Sequence, residues 1–248
     1  MTRPEHGQGE SEAEGAYMET QASDVELLGG QQLKEPLVAW RVVGADAADN
    51  EIARFGRNNE YALRLAVDGA DRLRCWNLVY REYLAVGYTQ EKKHPYRYSI
   101  HDALPDTATF LVEHAGVAVA TVSVFPDSPL RLPADEICPK ELDEARRAGR
   151  SLVEVGRLTI DTAHKNDRTI LTNLFDILSI YSWRLRHATD LVVTVNPSHA
   201  KFYEKMLLFA PQAGVRDLGS VCGAPAVLML LPLNRQRSVI RWEHGEGP

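Results

Sequence analysis

The order of elements in this chain predicts an α/β (α+β) architecture, with a mixed central sheet flanked by helices. Three observations carry it. Two strand-like runs, TATFLVEH (107–114) and VAVATVSVF (117–125), meet at Ala115-Gly116, a hairpin signal. The strand-like SLVEVGRLTID (151–161) is followed by an amphipathic helix, with Ile170, Leu174, Ile177, Leu178, Tyr181 and Leu185 along one face between Thr169 and His187. LVVTV (191–195) then forms the continuous apolar run of a strand buried on both faces.

The remaining elements fall around these. EPLVAWRVVGA (35–45) reads as a short strand, and YALRLAV (61–67) alternates well enough for another. Asp71 to Val86 reads as a helix that packs through Leu73, Trp76, Val79, Tyr80 and Tyr83 and stops at Gly87. Residues 88–107, with Pro95 and Pro105, and the proline-punctuated SPLRLPADEICP (128–139) read as loops. KELDEARRAGR (140–150) is a short polar helix stopped by Gly149. Pro197 opens a helix, PSHAKFYEKML, at the position where its missing N–H costs nothing. VRDLGSV (215–221) and AVLMLLPL (226–233) are the last two strands.

The chain has 248 residues and a formal net charge of -6. Residues 1–30 hold seven acids and one base, which leaves 27 of each in the remainder. The acidity therefore belongs to an apolar-poor tail, residues 1–36, which cannot bury enough surface to order itself. Residues 37–248 form a single domain, with a C-terminal extension after about 234. The neutral folded part offers no basic excess for nucleic acid. No run is long and apolar enough to span a membrane or to act as a signal peptide, so a cytoplasmic location is expected. Cys75, Cys138 and Cys222 show neither metal spacing nor a disulfide framework, and are expected as buried reduced thiols. No metal is expected.

Two stretches point to chemistry. Glu154 is a charged residue inside an apolar strand, where burial would raise its pKa toward neutrality and suit it as a general base. An edge-strand or ion-paired Glu154 is the structural alternative. Arg157 falls on the opposite face of a regular strand, but a bulge at Gly156 would bring it beside Glu154. There it would pair with Glu154 or bind an acceptor carboxylate through its planar fork. The second stretch is DTAHKNDRT (161–169), a turn before a helix that contains no glycine. A backbone cradle for a pyrophosphate needs glycines.

ALPDTATFLVE, VATVSVFPDSPLRLPADEI, ELDEARRAGRSLVEVGRLTID and VNPSHAKFYEKMLLF, in that order, resemble the FeeM-type N-acyl amino acid synthases of the GNAT acyltransferase superfamily, relatives of the acyl-homoserine-lactone synthases. The resemblance runs from about Tyr61 to Leu233. It implies a GNAT-like fold and transfer of a medium or long acyl chain from an acyl carrier protein thioester to the amine of an amino acid. Glu154 and Arg157 would be catalytic. Tyr203 stands where many GNAT enzymes keep a Tyr that protonates the leaving thiolate, or is a packed structural residue. Trp76, Tyr80 and Tyr83, on one helical face, would line the substrate pocket or form core, and Asn196 would touch the pantetheine arm or cap its helix. Arg146, Arg147, Arg150, Lys165 and Arg168 would dock the acidic carrier, or be ordinary solvated charge. The donor is an acyl-phosphopantetheine thioester, on the carrier or alternatively on CoA, with no tightly bound cofactor. His199 is expected on a helix surface.

There are departures from the homoserine-lactone synthases. They typically place an Arg four residues before an aromatic in the first helix, where this chain has Trp76 before Tyr80. His101-Asp102 is only a loose substitute for their paired-Asp loop, which argues against an S-adenosylmethionine acceptor. Two other readings stand beside the synthase. A CoA-dependent acetyltransferase would need a glycine-containing loop at 161–169. A non-catalytic ligand-binding module would show Glu154 displaced or solvated.

Overall fold

The computed structural model describes residues 50–233. The strand and tail expected in residues 1–45, and the extension after 234, lie outside them. The strands are β1 (Glu51–Phe55), β2 (Tyr61–Leu65), β3 (Ala108–His114), β4 (Val117–Pro126), β5 (Leu152–Ile160), β6 (Asp190–Val195), β7 (Ala210–Pro211), β8 (Arg216–Leu218) and β9 (Ala224–Pro232). The helices are α1 (Gly69–Ala85), α2 (Pro139–Arg147), α3 (Arg168–Ile180) and α4 (Pro197–Leu207). The sheet order is β1-β2-β3-β4-β5-β6-β9-β7, with β8 also on β9. Only the β5–β6 pair is parallel; the other pairs are antiparallel. The expected mixed α/β sheet is present. Among the described residues no helix is long and apolar enough to cross a membrane.

Ala115 and Gly116 both hold the left-handed conformation, as a two-residue β3–β4 turn demands. α1 lies on the sheet face that carries Leu111, against which Cys75 packs. α2 seals the same face through Leu142 and Ala145, packed with Leu132, Leu152, Val192 and Leu228. On the other face Tyr181, just beyond α3, meets the ring of Phe110. Strand β5 therefore lies between two packed layers.

Several details differ from the sequence reading. β1 was not foreseen. The buried residues of α1 are Asp71, Cys75, Leu78, Val79 and Tyr80, while Leu73 is exposed. α3 ends at Ile180 and continues as a π-helical turn, Tyr181–Leu185. The wider turn breaks the 3.6-residue phase, so Leu185, expected on the buried stripe, is exposed. The 88–107 and 128–139 loops each contain a short 3₁₀ turn, Ile100–Ala103 and Pro133–Glu136. Cys75 and Cys138 are buried, but Cys222 is exposed.

Candidate active site

β5 and β6 pair over only three positions, Leu152 with Asp190, Val153 with Leu191 and Glu154 with Val192. β6 then follows β9 to Val195 while β5 stays with β4 to Ile160. The two parallel strands splay apart immediately after Glu154. That residue sits at the apex of the opening and is 2% exposed. Its Oε2 accepts a hydrogen bond of 2.7 Å from the backbone N–H of Ala134, in the 3₁₀ turn of the 128–139 loop. Burial pushes its carboxyl up to about 8; the Ala134 N–H and the positive charge of Arg157 pull the other way and do not offset it. A carboxyl that titrates there is mostly protonated at neutral pH, yet is basic enough to take a proton from an ammonium.

One extra residue lies in β5 between Gly156, paired with Ser123, and Thr159, paired with Thr121. Arg157, rather than the glycine, holds the left-handed conformation at φ 58°. This bulge brings the guanidinium over the ring of Phe125, 5.8 Å from its centroid, and Phe125 is the β4 neighbour of Glu154. Arg157 therefore reaches the face that carries Glu154. Its direct partner is Asp102, not Glu154: Nη2 lies 2.9 Å from Oδ2 and Nε 3.4 Å from Oδ1. Asp102 is itself fixed by the backbone N–H and hydroxyl of Ser99, at 2.7 and 2.9 Å. Burial opposes the charge on Arg157, and Asp102 outweighs it. A left-handed, non-glycine residue costs on the order of 1 kcal/mol or more, and persists where surrounding contacts impose it.

Gly156 supports this arrangement by absence. A Cβ built on it would lie 2.9 Å from Cε2 of Phe125. Gly156→Ala should therefore push the ring off the strand and destabilise the protein by about 1–3 kcal/mol, with weaker activity as Arg157 loses its platform. Urea melts alongside an activity assay check this; an unchanged melt would show that the ring yields freely.

The aromatic face of α1 holds the 88–99 loop in place. Trp76 packs on Tyr98 at 5.0 Å, and its carbonyl accepts from the Arg97 N–H at 3.0 Å. The Tyr80 hydroxyl accepts from the Lys92 N–H. Tyr83 packs edge-on against Tyr88, and the Arg97 guanidinium lies over the Tyr83 ring, 5.8 Å from its centroid. Tyr203 projects from α4 toward the same region, its ring against Phe175 and Phe209. Burial, with Tyr83 nearby, holds its phenol well above the usual range, so it stays protonated. Asn196 caps α4, its Oδ1 accepting from the Ser198 N–H, and donates from Nδ2 to the Tyr88 hydroxyl at 3.1 Å. His199 is half-buried rather than on the surface, and its desolvation keeps the imidazole neutral-leaning. The sequence reading passed over Arg97, Phe125 and the Ala134 N–H. Asp102 carried one local signal, its place at the end of a Ser-x-x-Asp capping pattern.

The five bases expected to dock a carrier do not form one patch. Arg146 is enclosed by Asp127 and Asp135, each at 2.6 Å, and by Asp143 at 3.1 Å. Arg150 is paired with Asp190. Both are structural ion pairs, because their carboxylate partners come from segments that only the fold brings near. Arg147 is exposed, and among the described residues it bonds to the Asp143 carbonyl. Lys165 and Arg168 lie beyond the other end of β5, whose nine residues separate the two groups by roughly 30 Å at about 3.3 Å per residue. At that end the first turn of α3 is already occupied: Asp167 caps it, accepting from the Thr169 N–H at 2.9 Å and hydroxyl at 2.7 Å. Burial resists ionisation of Asp167, but the bonds from Thr169 and Tyr61 outweigh it and hold the carboxyl below its usual range. A permanent negative charge stands where an anion would meet a helix N-terminus.

Comparisons with known proteins bear on the fold and the family. The structure of FeeM, an N-acyl amino acid synthase from uncultured soil microbes, superposes with a TM-score of 0.65 at 26% identity, covering 72% of this chain and 93% of that one. The acyl-homoserine-lactone synthase LasI superposes with a TM-score of 0.53 at 14% identity, covering 70% of this chain and 90% of that one. BjaI, a CoA-dependent acyl-homoserine lactone synthase, gives a TM-score of 0.52 at 14% identity, covering 71% and 82%. At that identity the last two show a shared fold. No curated protein matches the chain. The sequence of the N-acyl amino acid synthase FeeM family matches residues 74–232, which include Glu154, Arg157, Asp102 and Tyr203. The chain is an N-acyltransferase with a GNAT-like fold, and it belongs to the N-acyl amino acid synthase FeeM family.

Proposed function

We propose that the protein transfers a medium or long acyl chain from an acyl carrier protein thioester to the amine of an amino acid, in the cytoplasm. The observation that carries the reaction is Glu154, buried at the apex of the β5–β6 splay with its carboxyl raised to about 8. The acceptor ammonium gives its proton to Glu154. The freed amine attacks the thioester carbonyl, forming the C–N bond, and backbone N–H groups of β5 that β6 no longer pairs face the developing oxyanion. Collapse breaks the C–S bond; the thiolate takes a proton from the phenol of Tyr203, and the second proton of the attacking nitrogen passes to that phenolate as the neutral amide forms. Trp76, Tyr80 and Tyr83 set the wall that carries the 88–99 loop.

The choice of carrier over CoA rests on the α3 N-terminus. Its glycine-free approach and its Asp167 carboxylate disfavour the pyrophosphate of CoA, whereas a carrier-bound pantetheine brings a single phosphate. The fold alone does not decide the donor, since BjaI is CoA-dependent. Of the basic residues, Lys165 and Arg168 lie at the end of β5 where α3 begins, and an acidic carrier would meet them there. Steady-state kinetics with one acyl group on the two donors tests the reading. The carrier thioester should have the higher kcat/KM, and its advantage should shrink as salt rises. Equal or better use of acyl-CoA would sink the carrier reading. Asp167→Gly should then be neutral; on the carrier reading it improves use of CoA.

A further inference from the structure

Two guanidiniums, those of Arg97 and Arg157, act on each other at the site. Arg97 and Arg157 stand within each other's electrostatic reach, and both share the neighbours Asp102 and Tyr83. Asp102 is taken by Nε and Nη2 of Arg157. Glu154 adds little negative charge at neutral pH, because burial keeps it mostly protonated. The two guanidiniums therefore share the neighbour Asp102, and among the described residues its guanidinium hydrogen bonds go to Arg157.

Arg97 is also under-bonded. One terminal nitrogen donates to the carbonyl of Ser220, but its buried Nε has no hydrogen-bond partner among the described residues. A buried guanidinium N–H left unmatched is destabilising. The residue is nonetheless held firmly. Its backbone is bonded to Trp76, its guanidinium lies over Tyr83, and the Ser220 segment is anchored by the Ser220 N–H to Glu136 at 2.9 Å. Glu136 belongs to the same 3₁₀ turn whose Ala134 N–H meets Glu154. One connected set of contacts thus ties Arg97 to the base. An unsatisfied, positioned, planar donor within electrostatic reach of a second guanidinium is suited to receive a carboxylate in forked geometry.

We infer that Arg97, together with Arg157, binds the carboxylate of the acceptor and makes the enzyme select amino acids over amines that lack that group. This rests on the proposed transfer to an amino acid and assigns its specificity to a residue of the 88–99 loop. With the carboxylate between the two guanidiniums, the acceptor ammonium is directed to Glu154, and its charge favours the ionised form of that base.

The test compares acyl transfer to each proteinogenic amino acid with transfer to the corresponding decarboxylated amine. The wild type should prefer the amino acid. Arg97→Ala should raise KM for the amino acid by about ten- to a hundredfold, the size expected for hydrogen bonds to a charged group. It should shrink the preference for amino acid over amine by a similar factor. Arg97→Lys, which keeps the charge and loses the fork, should recover part of it. A fall in kcat with KM and the preference unmoved, or an equal loss with both substrate classes, would overturn the assignment. A second readout needs no donor: the same amino acids and amines titrated in a thermal-shift assay. Amino acids should raise the melting temperature of the wild type more than amines do, and Arg97→Ala should remove that difference. An undiminished difference in the variant would also overturn the assignment. Failure of all acyl transfer to amino acids, with an Arg97-dependent thermal shift intact, would overturn the reaction proposed above and leave the carboxylate site standing.

Discussion

Glu154→Gln is expected to lower kcat by about 10²–10⁴-fold while the melting temperature at alkaline pH holds or rises. The amide oxygen still accepts from the Ala134 N–H, so the local fold keeps its bond, but the group that takes the ammonium proton is gone. The pH dependence follows from the raised carboxyl. With a folded pKa of about 8, only about one site in ten is ionised at pH 7. Activity on the free enzyme should therefore climb with pH and level off above that value. The stability consequence has the opposite sense. Between the ordinary carboxylate pKa and about 8 the folded state binds the proton and the unfolded state does not. Stability is thus greatest at the acidic end of that window and falls as pH rises through about 8. Gln does not titrate, so the variant should lose this slope. Near-normal turnover in the Gln variant would make Glu154 a structural residue; a collapsed melt at every pH would mean that the assay reads misfolding.

Some of the site was legible because its chemistry clashes with its local setting. A glutamate in the middle of an apolar strand has no cheap explanation, and Glu154 is buried with a raised pKa. Arg157 was half legible. Gly156 signalled an irregular strand, but the left-handed residue is Arg157 itself, and Gly156 is needed instead for the close approach of Phe125. What stayed hidden depends on contacts distant in sequence. Asp102 lies 55 positions from Arg157, and nothing local tells that a loop carboxylate will reach β5. The same blindness made Arg146 and Arg150 look like surface charge, because Asp127, Asp135 and Asp190 are brought to them only by the fold. The strand and helix order survived because hydrophobic periodicity is local. The end of α3 did not, because a π turn changes the period that the reading relies on.

Asp102→Ala should be the most destabilising single change in the site, by about 3–5 kcal/mol, because it removes one member of a buried pair and strands the other. The Asp102 carboxylate has no solvent exposure and the Arg157 side chain only 14%, so water cannot replace the lost partner. Arg97 makes the loss worse, since its charge already acts against Arg157 across the same space. Arg157→Ala should cost less: Asp102 would keep the N–H and hydroxyl of Ser99, and the strained left-handed backbone at position 157 would be freed of a side chain that holds it there. The double variant should then be less destabilised than the sum of the singles, by about 0.5–3 kcal/mol, the coupling expected of residues in one network. Urea melts of the four proteins supply the cycle, with equal m-values as the check that the unfolded state is unchanged. Activity separates the two singles further. Asp102→Ala retains the guanidinium but not its aim, so it should lose less than Arg157→Ala on the surviving folded fraction. Simple additivity in the melts would mean that the pair makes no net contribution, and that Arg157 is held in its left-handed conformation by Phe125 and the bulge alone.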